Sequence, residues 1–507
     1  MLCILPLLAA LARGSDDNKG HNAAPNGTVP VSPYLNSFSM EFKDFPLFAG
    51  KLHCTREQPN QFSINLLSNF AARTGVMPII RVGGTTQDDA VYNASQTEAV
   101  ITIGTTVGNA RAGVMIGPAY FSSYGTFPHT SYIAGINLAT NGTAGKATRQ
   151  AEVKAISKVL GNSLEFFEIG NEPDLFSRWE RRTASWGVTD YVAEWEAAAE
   201  LIQSTLPRNA LSYFAPSFAG TDTGGAANSM GPVQAFGNGL STQKSIKMLS
   251  GHNYMGSATG TGVSLQATLM NHTSIVKSIS SHVKVAQRMK AYTNAQYVMG
   301  ETNSLSGGGA SGLSDVFGAA LWVVDYTLWQ ATQNIQRVHF HESGTSPYAA
   351  WSPSSVPPTT NAPYYGNIMV AAAVGSAPDT SIAYLDVGDG DDTVSGYVLY
   401  EGDQLARVVV LNMLEYTSTS SSARSSKTFT INVPTSVRGA KVERLTAAGA
   451  DVKTNITLGG VSYDHGLANG KPVTVNKKAA AEQVKVSSRG SLKVTVQATE
   501  GVVLHLF

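Results

Sequence analysis

Apolar runs of four to eight residues recur through the first two-thirds of the chain, at 35–42, 77–82, 114–120, 164–169, 211–216, 250–254, 297–300 and 337–341. Segments with helical spacing lie between them. From 189 to 206, Tyr191, Val192, Trp195, Ile202 and Leu206 recur on one face, and Thr189 is placed to act as N-cap. The segment 312–333 is rich in Ala, Leu and Trp and also reads as helical. Eight strands separated by helices over about 300 residues predict an α/β fold, a (β/α)8 TIM barrel.

A Pro/Ser/Thr-rich loop at 352–363 ends this pattern. Beyond residue 382 the runs are short and rich in Val, Tyr and Thr, at 394–400, 406–411, 428–433, 492–497 and 502–507. Turn residues separate them and no helical period emerges, which predicts an appended C-terminal β-sandwich domain. The N-terminal segment is expected to add a strand to it, and the serine run at 417–426 to form an exposed loop. The expected division is a signal peptide at 1–19, a catalytic barrel at 20–365 and the β-sandwich at 366–507.

Composition narrows the function. The 507 residues are 43% hydrophobic, as in a packed globular protein, and 36 Lys+Arg balance 36 Asp+Glu. Without a basic excess, binding to nucleic acid or anionic lipid through bulk charge is not expected. An acidic substrate would have to be held locally, by a few directed donors. Residues 1–12 form an apolar run too short to span a bilayer, read as a secretory signal. The sequons at Asn26, Asn93, Asn141, Asn271 and Asn455 fit a secreted, N-glycosylated protein. Cys3 leaves with the signal, so Cys54 becomes a lone thiol with a packing role and no internal disulfide forms. A monomer or weak oligomer is expected, with no membrane partner.

The chemistry is sought at the C-terminal ends of the barrel strands. Glu172 follows the apolar run of the fourth strand in Asn171-Glu172-Pro173-Asp174, where proline stops the strand. Glu301 follows the seventh in Gly300-Glu301-Thr302-Asn303-Ser304. Asn-Glu-Pro alone also marks a plain strand-to-loop turn. A carboxylate pair at these two ends supplies the proton donor and second carboxylate that glycoside hydrolysis needs. At a separation of about 5–5.5 Å the second carboxylate is a nucleophile and configuration is retained.

These motifs, in this order, resemble glycoside hydrolase family 79, the group of β-glucuronidases and heparanase. The likeness includes Ser39-Met40-Glu41-Phe42, Arg81-Val82-Gly83-Gly84-Thr85, Glu168-Ile169-Gly170-Asn171-Glu172-Pro173-Asp174, His252-Asn253-Tyr254, Gly300-Glu301-Thr302-Asn303-Ser304 and Gly307-Gly308-Gly309. It covers most of the chain, C-terminal β-domain included. The resemblance implies a retaining, exo-acting β-glucuronidase acting on glucuronic-acid-containing glycans such as arabinogalactan. Glu172 is then the general acid/base, Glu301 the nucleophile, and Asn171 the partner of the sugar 2-hydroxyl. It implies that Glu41 and Thr85 hold sugar hydroxyls, that Tyr254 supports the nucleophile, and that Tyr365 faces the sugar carboxylate. It also implies that backbone amides of Gly307, Gly308 and Gly309 bind that carboxylate, as glycine backbones can. One departure is Ser306, where the family's glucuronidases commonly carry Tyr; the smaller side chain leaves room for a 4-O-substituted glucuronate.

No metal or cofactor is expected. His339 and His341 alternate along strand eight and both face the barrel interior. They read as hydrogen-bonded or substrate-facing rather than as metal ligands. Asp88 and Asp89, and Asp389, Asp391 and Asp392, read as solvated turns. Trp322 and Trp329 read as packing against the barrel, and Arg81 either steadies the nucleophile or closes a buried ion pair. Three alternatives share the fold: a xylosidase or arabinofuranosidase, a heparanase-like endo-glucuronidase, and a secreted carbohydrate-binding protein without turnover.

Overall fold

The computed structural model describes residues 27–50, 58–104, 112–206, 211–222, 230–240 and 245–507. The signal segment, Asn26 and Cys54 lie outside them. Eight parallel strands close into a barrel: β1 (Asn36–Glu41), β2 (Ile80–Gly83), β3 (Tyr132–Ile136), β4 (Leu164–Ile169), β5 (Tyr213–Phe218), β6 (Ile246–Ser257), β7 (Gln296–Ser306) and β8 (Val338–Glu342). Glu172 thus follows the fourth strand and Glu301 lies in the seventh, as the sequence pattern predicts.

The third strand is a correction. The run expected at 114–120 breaks at Gly117-Pro118, where a short helix begins. Its first part, Gly113–Ile116, instead pairs with Ala90–Tyr92 and Val100–Ile103 in a small sheet outside the barrel. The barrel uses Tyr132–Ile136, every residue of which is buried. Gly135 is required there, because a Cβ would lie 2.3 Å from Gln87 Oε1 and 2.8 Å from Val82 O.

Ile79, Ile133, Phe166, Phe214, Met248 and Val298 form an apolar cluster at the N-terminal ends of the strands. Above this floor the inward side chains turn polar. Arg81, Glu168, Ser217 and Ser250 are fully buried and joined to one another, which fixes the strand ends that carry the site.

Helix α1 (Val188–Thr205) begins one residue before Thr189. Gly187 occupies the cap position, and its N–H donates to Asp190 Oδ2 at 2.9 Å. Helix α2 (Phe317–Thr332) is buried nearly all round because it lies between barrel and β-domain. Trp322 packs on Phe340 of β8, at 5.9 Å between ring centroids, while Trp329 turns toward Tyr384 of the β-domain at 5.4 Å. Helix α3 (Ala362–Val374) runs unbroken across the division expected at 365/366, with Pro363 in its first turn.

The C-terminal region is a sandwich of unequal layers. Strands β9 (Thr380–Tyr384), β10 (Val394–Glu401), β11 (Gln404–Asn412), β12 (Gly439–Thr446) and β13 (Glu500–Leu506) belong to the large sheet; Ser426–Asn432 pairs with Ser491–Gln497 in the small one. Val398, Val408, Val410, Val502 and Leu504 face the small sheet, whereas Leu399, Val409, Leu411 and Val503 face the barrel helices. Burial on both faces explains the unbroken valine runs. The expected N-terminal strand is present, Val29–Pro30 pairing antiparallel with β9.

Candidate active site

Glu172 stands just beyond β4 in the left-handed region, with φ of 49°. A residue before proline is already barred from the right-handed helical region, and a non-glycine residue here marks a held, functional backbone. The Glu172 N–H donates to Ser217 O at 2.9 Å on β5, and Asp88 Oδ2 accepts the Asn171 N–H at 2.7 Å. Asp88 also accepts from the Leu138 and Ala139 N–H groups. It is buried and shapes the Glu172 loop, which corrects its reading as a solvated turn. Asp89 is half-buried and paired with Arg181.

Glu301 is aimed by two donors. Arg81 Nη1 lies 2.7 Å from Oε2, and the Tyr254 hydroxyl donates to Oε1 at 2.8 Å. A register shift between Gly251 and His252 puts His252 opposite Glu301 in the β6–β7 pairing. His252 and Tyr254, two residues apart, then both face inward. His252 Nδ1 lies 3.0 Å from Glu172 Oε1, so neighbouring residues on one strand serve the two glutamates separately. Nearest donor and acceptor atoms of Glu172, His252 and Glu301 lie within 4.8 Å of one another. All three are already engaged in hydrogen bonds, so this is a hydrogen-bonded group rather than an open ligand set.

The electrostatics separate the pair. Burial, together with the negative charge of Glu301, pushes the Glu172 carboxyl up to about 8. For Glu301 burial works in the same direction, but His341, Arg81 and the Tyr254 hydroxyl overcome it and hold it far below the usual carboxylate range. One carboxyl keeps its proton at neutral pH and the other is ionised, the division a general acid and a nucleophile require. Burial drives His252 down to about 4, so its ring is neutral when Glu172 is protonated.

Arg81 is the hub. Its guanidinium is fully buried and donates to Glu168 Oε2, Ser39 Oγ, Glu301 Oε2 and Asn171 Oδ1, at 2.7 to 2.8 Å. The two readings left open for Arg81 are therefore both met. Because arginine only donates, the Asn171 oxygen must face it. Asn171 Nδ2 is buried without a partner among the described residues, a donor held ready in the site.

On the opposite wall Glu41 accepts from Thr86 N at 3.0 Å and Thr86 Oγ1 at 2.5 Å, and its Oε2 lies 3.3 Å from His341 Nε2. Burial disfavours its charge, but His341 and Thr86 lower its pKa on balance. His341 Nδ1 meets Ser39 Oγ at 2.9 Å, and Glu301 and Glu41 raise its pKa against burial. Thr85, expected to hold a hydroxyl, is half-buried; its carbonyl accepts from Arg181 Nη2, while Thr86 makes the bond to Glu41.

Gly307, Gly308 and Gly309 have φ of 83°, 91° and 82°, a succession open only to glycine. The Gly309 N–H is used by Leu305 O at 3.1 Å, and Ala310 N donates to Ser314 Oγ at 3.0 Å, which pins the loop. A Cβ on Gly309 would lie 2.9 Å from Tyr348 N. Tyr348 is buried, with its ring 6.4 Å from Tyr254 and 6.0 Å from His341, between the glycine loop and Glu301.

Tyr365 is a correction. It lies on α3, turned to the β-domain, where its hydroxyl is 3.1 Å from Ser462 Oγ and accepts the Tyr463 N–H at 3.1 Å. The register of α3 directs it into the domain interface and away from the glutamates. Tyr348 is the tyrosine the structure brings to the site. Sequence reasoning also gave no role to Ser39, Thr86, Glu168 or His252. Opposite charges at Arg81 and Glu168 inside apolar strands were the available signal, since buried charges must pair.

Comparison with known proteins identifies the family. Residues 396–503 match the glycosyl hydrolase family 79 C-terminal beta domain. The chain is 40% identical over 509 residues to a beta-glucuronidase of Aspergillus niger, covering 95% of this chain and 92% of the relative. It is 37% identical over 502 residues to a beta-glucuronidase of Neurospora crassa, covering 88% of each. Among solved structures, a 4-O-α-L-rhamnosyl-β-D-glucuronidase of Fusarium oxysporum superposes with a TM-score of 0.80 at 26% identity, over 96% of this chain and 99% of that one. A family 51 arabinofuranosidase of Xanthomonas axonopodis, with a TM-score of 0.63 at 14% identity over 97% and 98% of the two chains, shares the fold. The chain belongs to glycoside hydrolase family 79.

Proposed function

We propose that the protein is a retaining β-glucuronidase that removes terminal β-linked glucuronic acid from glycans. The observation that carries this reading is the inequality of the two carboxyls, Glu172 protonated and Glu301 ionised, with oxygens within 4.8 Å. That spacing supports retention, since inverting enzymes need room for a water between the groups. Glu301 attacks the anomeric carbon while Glu172 protonates the departing glycosidic oxygen. Glu172, now ionised, takes a proton from water, which displaces Glu301 and restores the starting state.

Three groups position the sugar. Asn171 Nδ2 donates to the 2-hydroxyl, Glu41 accepts from ring hydroxyls, and the Gly307 and Gly308 amides meet the carboxylate. The relatives named above support the glucuronide as substrate over a neutral glycoside. The even charge balance supports local recognition of the acid, and no partner beyond a glycan is proposed. No helix of the described residues is long and apolar enough to cross a membrane. Secretion with N-glycosylation, and a monomeric or weakly oligomeric state, complete the proposal.

The test is hydrolysis of p-nitrophenyl β-D-glucuronide beside the β-D-xyloside and α-L-arabinofuranoside. Turnover of the glucuronide, abolished in Glu301→Ala, is expected. Turnover of a neutral glycoside alone would replace the reading.

A further inference from the structure

Two residues beyond Glu301, on the same face of β7, stands Asn303, only 2% exposed. Its Nδ2 donates to His341 O at 2.9 Å and to Tyr348 O at 3.3 Å, and its Oδ1 accepts the Ser304 N–H at 2.8 Å. Carbonyls only accept, so a single orientation of the amide serves all three partners. The backbone ladder does not reach this far. Strands β7 and β8 are in register at Met299 with Val338 and at Thr302 with Phe340, with an irregularity between them. One residue further along each strand, the Asn303 side chain takes over and braces itself on the His341 carbonyl.

From that brace its second bond reaches the loop after β8. Three side chains hold three successive residues there. Asn303 takes Tyr348 O, Asn361 Nδ2 donates to Ala349 O at 2.8 Å, and Glu342 Oε2 accepts the Ala350 N–H at 2.8 Å. Asn361 precedes α3 and Glu342 ends β8, so Asn303 is the member of the three that belongs to the strand of the nucleophile. The carbonyl it holds is that of Tyr348, the ring between the glycine loop and Glu301. Tyr348 N is also an atom that a Cβ on Gly309 would meet at 2.9 Å, so this loop and the glycine loop are packed without slack.

We infer that Asn303 is a positioning residue for the glycone: its amide sets where Tyr348 stands relative to Glu301, and it acts on the sugar through that ring. The inference rests on the glucuronidase reading above. In that reading the sugar spans from the glycine loop, at its carboxylate, to Glu301, at its anomeric carbon, and Tyr348 walls it. A wall touches the sugar before and during the reaction, so its displacement weakens binding more than turnover and shows in KM. A plain tie between two strands would serve stability alone.

The test measures KM and kcat on p-nitrophenyl β-D-glucuronide for the wild type, Asn303→Ala, Tyr348→Ala and the double variant, with Tm from calorimetry. Asn303→Ala should raise KM about tenfold or more and change kcat by about threefold or less. In the Tyr348→Ala background the same substitution should change KM by less than about twofold, because its route to the sugar is gone. Asn303→Asp is the second variant, with the shape kept. Its carboxyl can donate only while protonated, so the ratio of its KM to that of the wild type should rise with pH. A lowered Tm with KM unchanged in Asn303→Ala, or KM increases that multiply in the double variant, overturns the inference and leaves the glucuronidase reading standing. Where Asn303→Ala does not fold, the Asn303→Asp ratio decides, and a ratio flat with pH overturns the inference. A wild type that turns over neutral glycosides and no glucuronide overturns the glucuronidase reading, and the inference with it.

Discussion

Arg81 Nη2 lies 2.7 Å from Asn171 Oδ1, and this contact decides which end of the amide faces the sugar. The guanidinium can only donate, so Nδ2 is left as the free donor beside the catalytic pair. Hydrogen bonds to the 2-hydroxyl strengthen in the oxocarbenium-like transition state and contribute several kcal/mol. Asn171→Ala should therefore lower kcat by about 10²- to 10³-fold with a smaller change in KM. The same loss is expected for wild type on a 2-deoxy glucuronide, and combining the two should add little. Additive losses would show that Asn171 acts elsewhere.

The carboxyl of Glu172 must be protonated to act, and it titrates near 8. The basic limb of kcat/KM should fall through that pH and disappear in Glu172→Gln with an activated aryl leaving group. A second consequence concerns stability. Between 4.5, the ordinary glutamate value, and 8, the folded state holds a proton that the unfolded chain has lost. Stability therefore falls with rising pH across that window and levels off above it. Glu172→Gln should raise Tm little at pH 4 and progressively more up to pH 8, as read by calorimetry.

Arg81→Lys keeps the charge but cannot span Glu168, Glu301, Ser39 and Asn171 together. Breaking a buried ion-pair network of this kind costs about 3–5 kcal/mol. Arg81 helps hold Glu301 low from 2.7 Å, and a lysine that gives up this contact should also move the acidic limb of kcat/KM to higher pH. A variant with lowered stability and an unmoved acidic limb would show that Arg81 serves the fold alone.

Tyr365→Phe removes the hydroxyl contacts to Ser462 and Tyr463 at the domain interface. Denaturant unfolding should show a loss of about 1 kcal/mol, and KM for the glucuronide should not change. A raised KM would return Tyr365 to the carboxylate subsite.

The sequence carried the barrel, the β-domain and the two glutamates, because apolar runs and strand ends are local signals. It missed the third strand because Gly135 looks like punctuation in a short run, whereas its small size answers the close approach of Gln87 and Val82. Tyr365 went astray because its role was carried over from the resemblance, whereas the register of its helix decides which way it turns. Asp88 was read as a turn because nothing near it in sequence reveals the Leu138, Ala139 and Asn171 amides that surround it. Carboxyls of equal chemistry become acid and nucleophile only through neighbours distant in the chain.

The division of labour between Glu172 and Glu301 is tested most directly by the anomer formed first from p-nitrophenyl β-D-glucuronide, followed by proton NMR before mutarotation. The account predicts β-glucuronic acid, with configuration retained through a Glu301 adduct. Appearance of the α-anomer first would contradict it, because a single displacement by water leaves Glu301 no role as nucleophile.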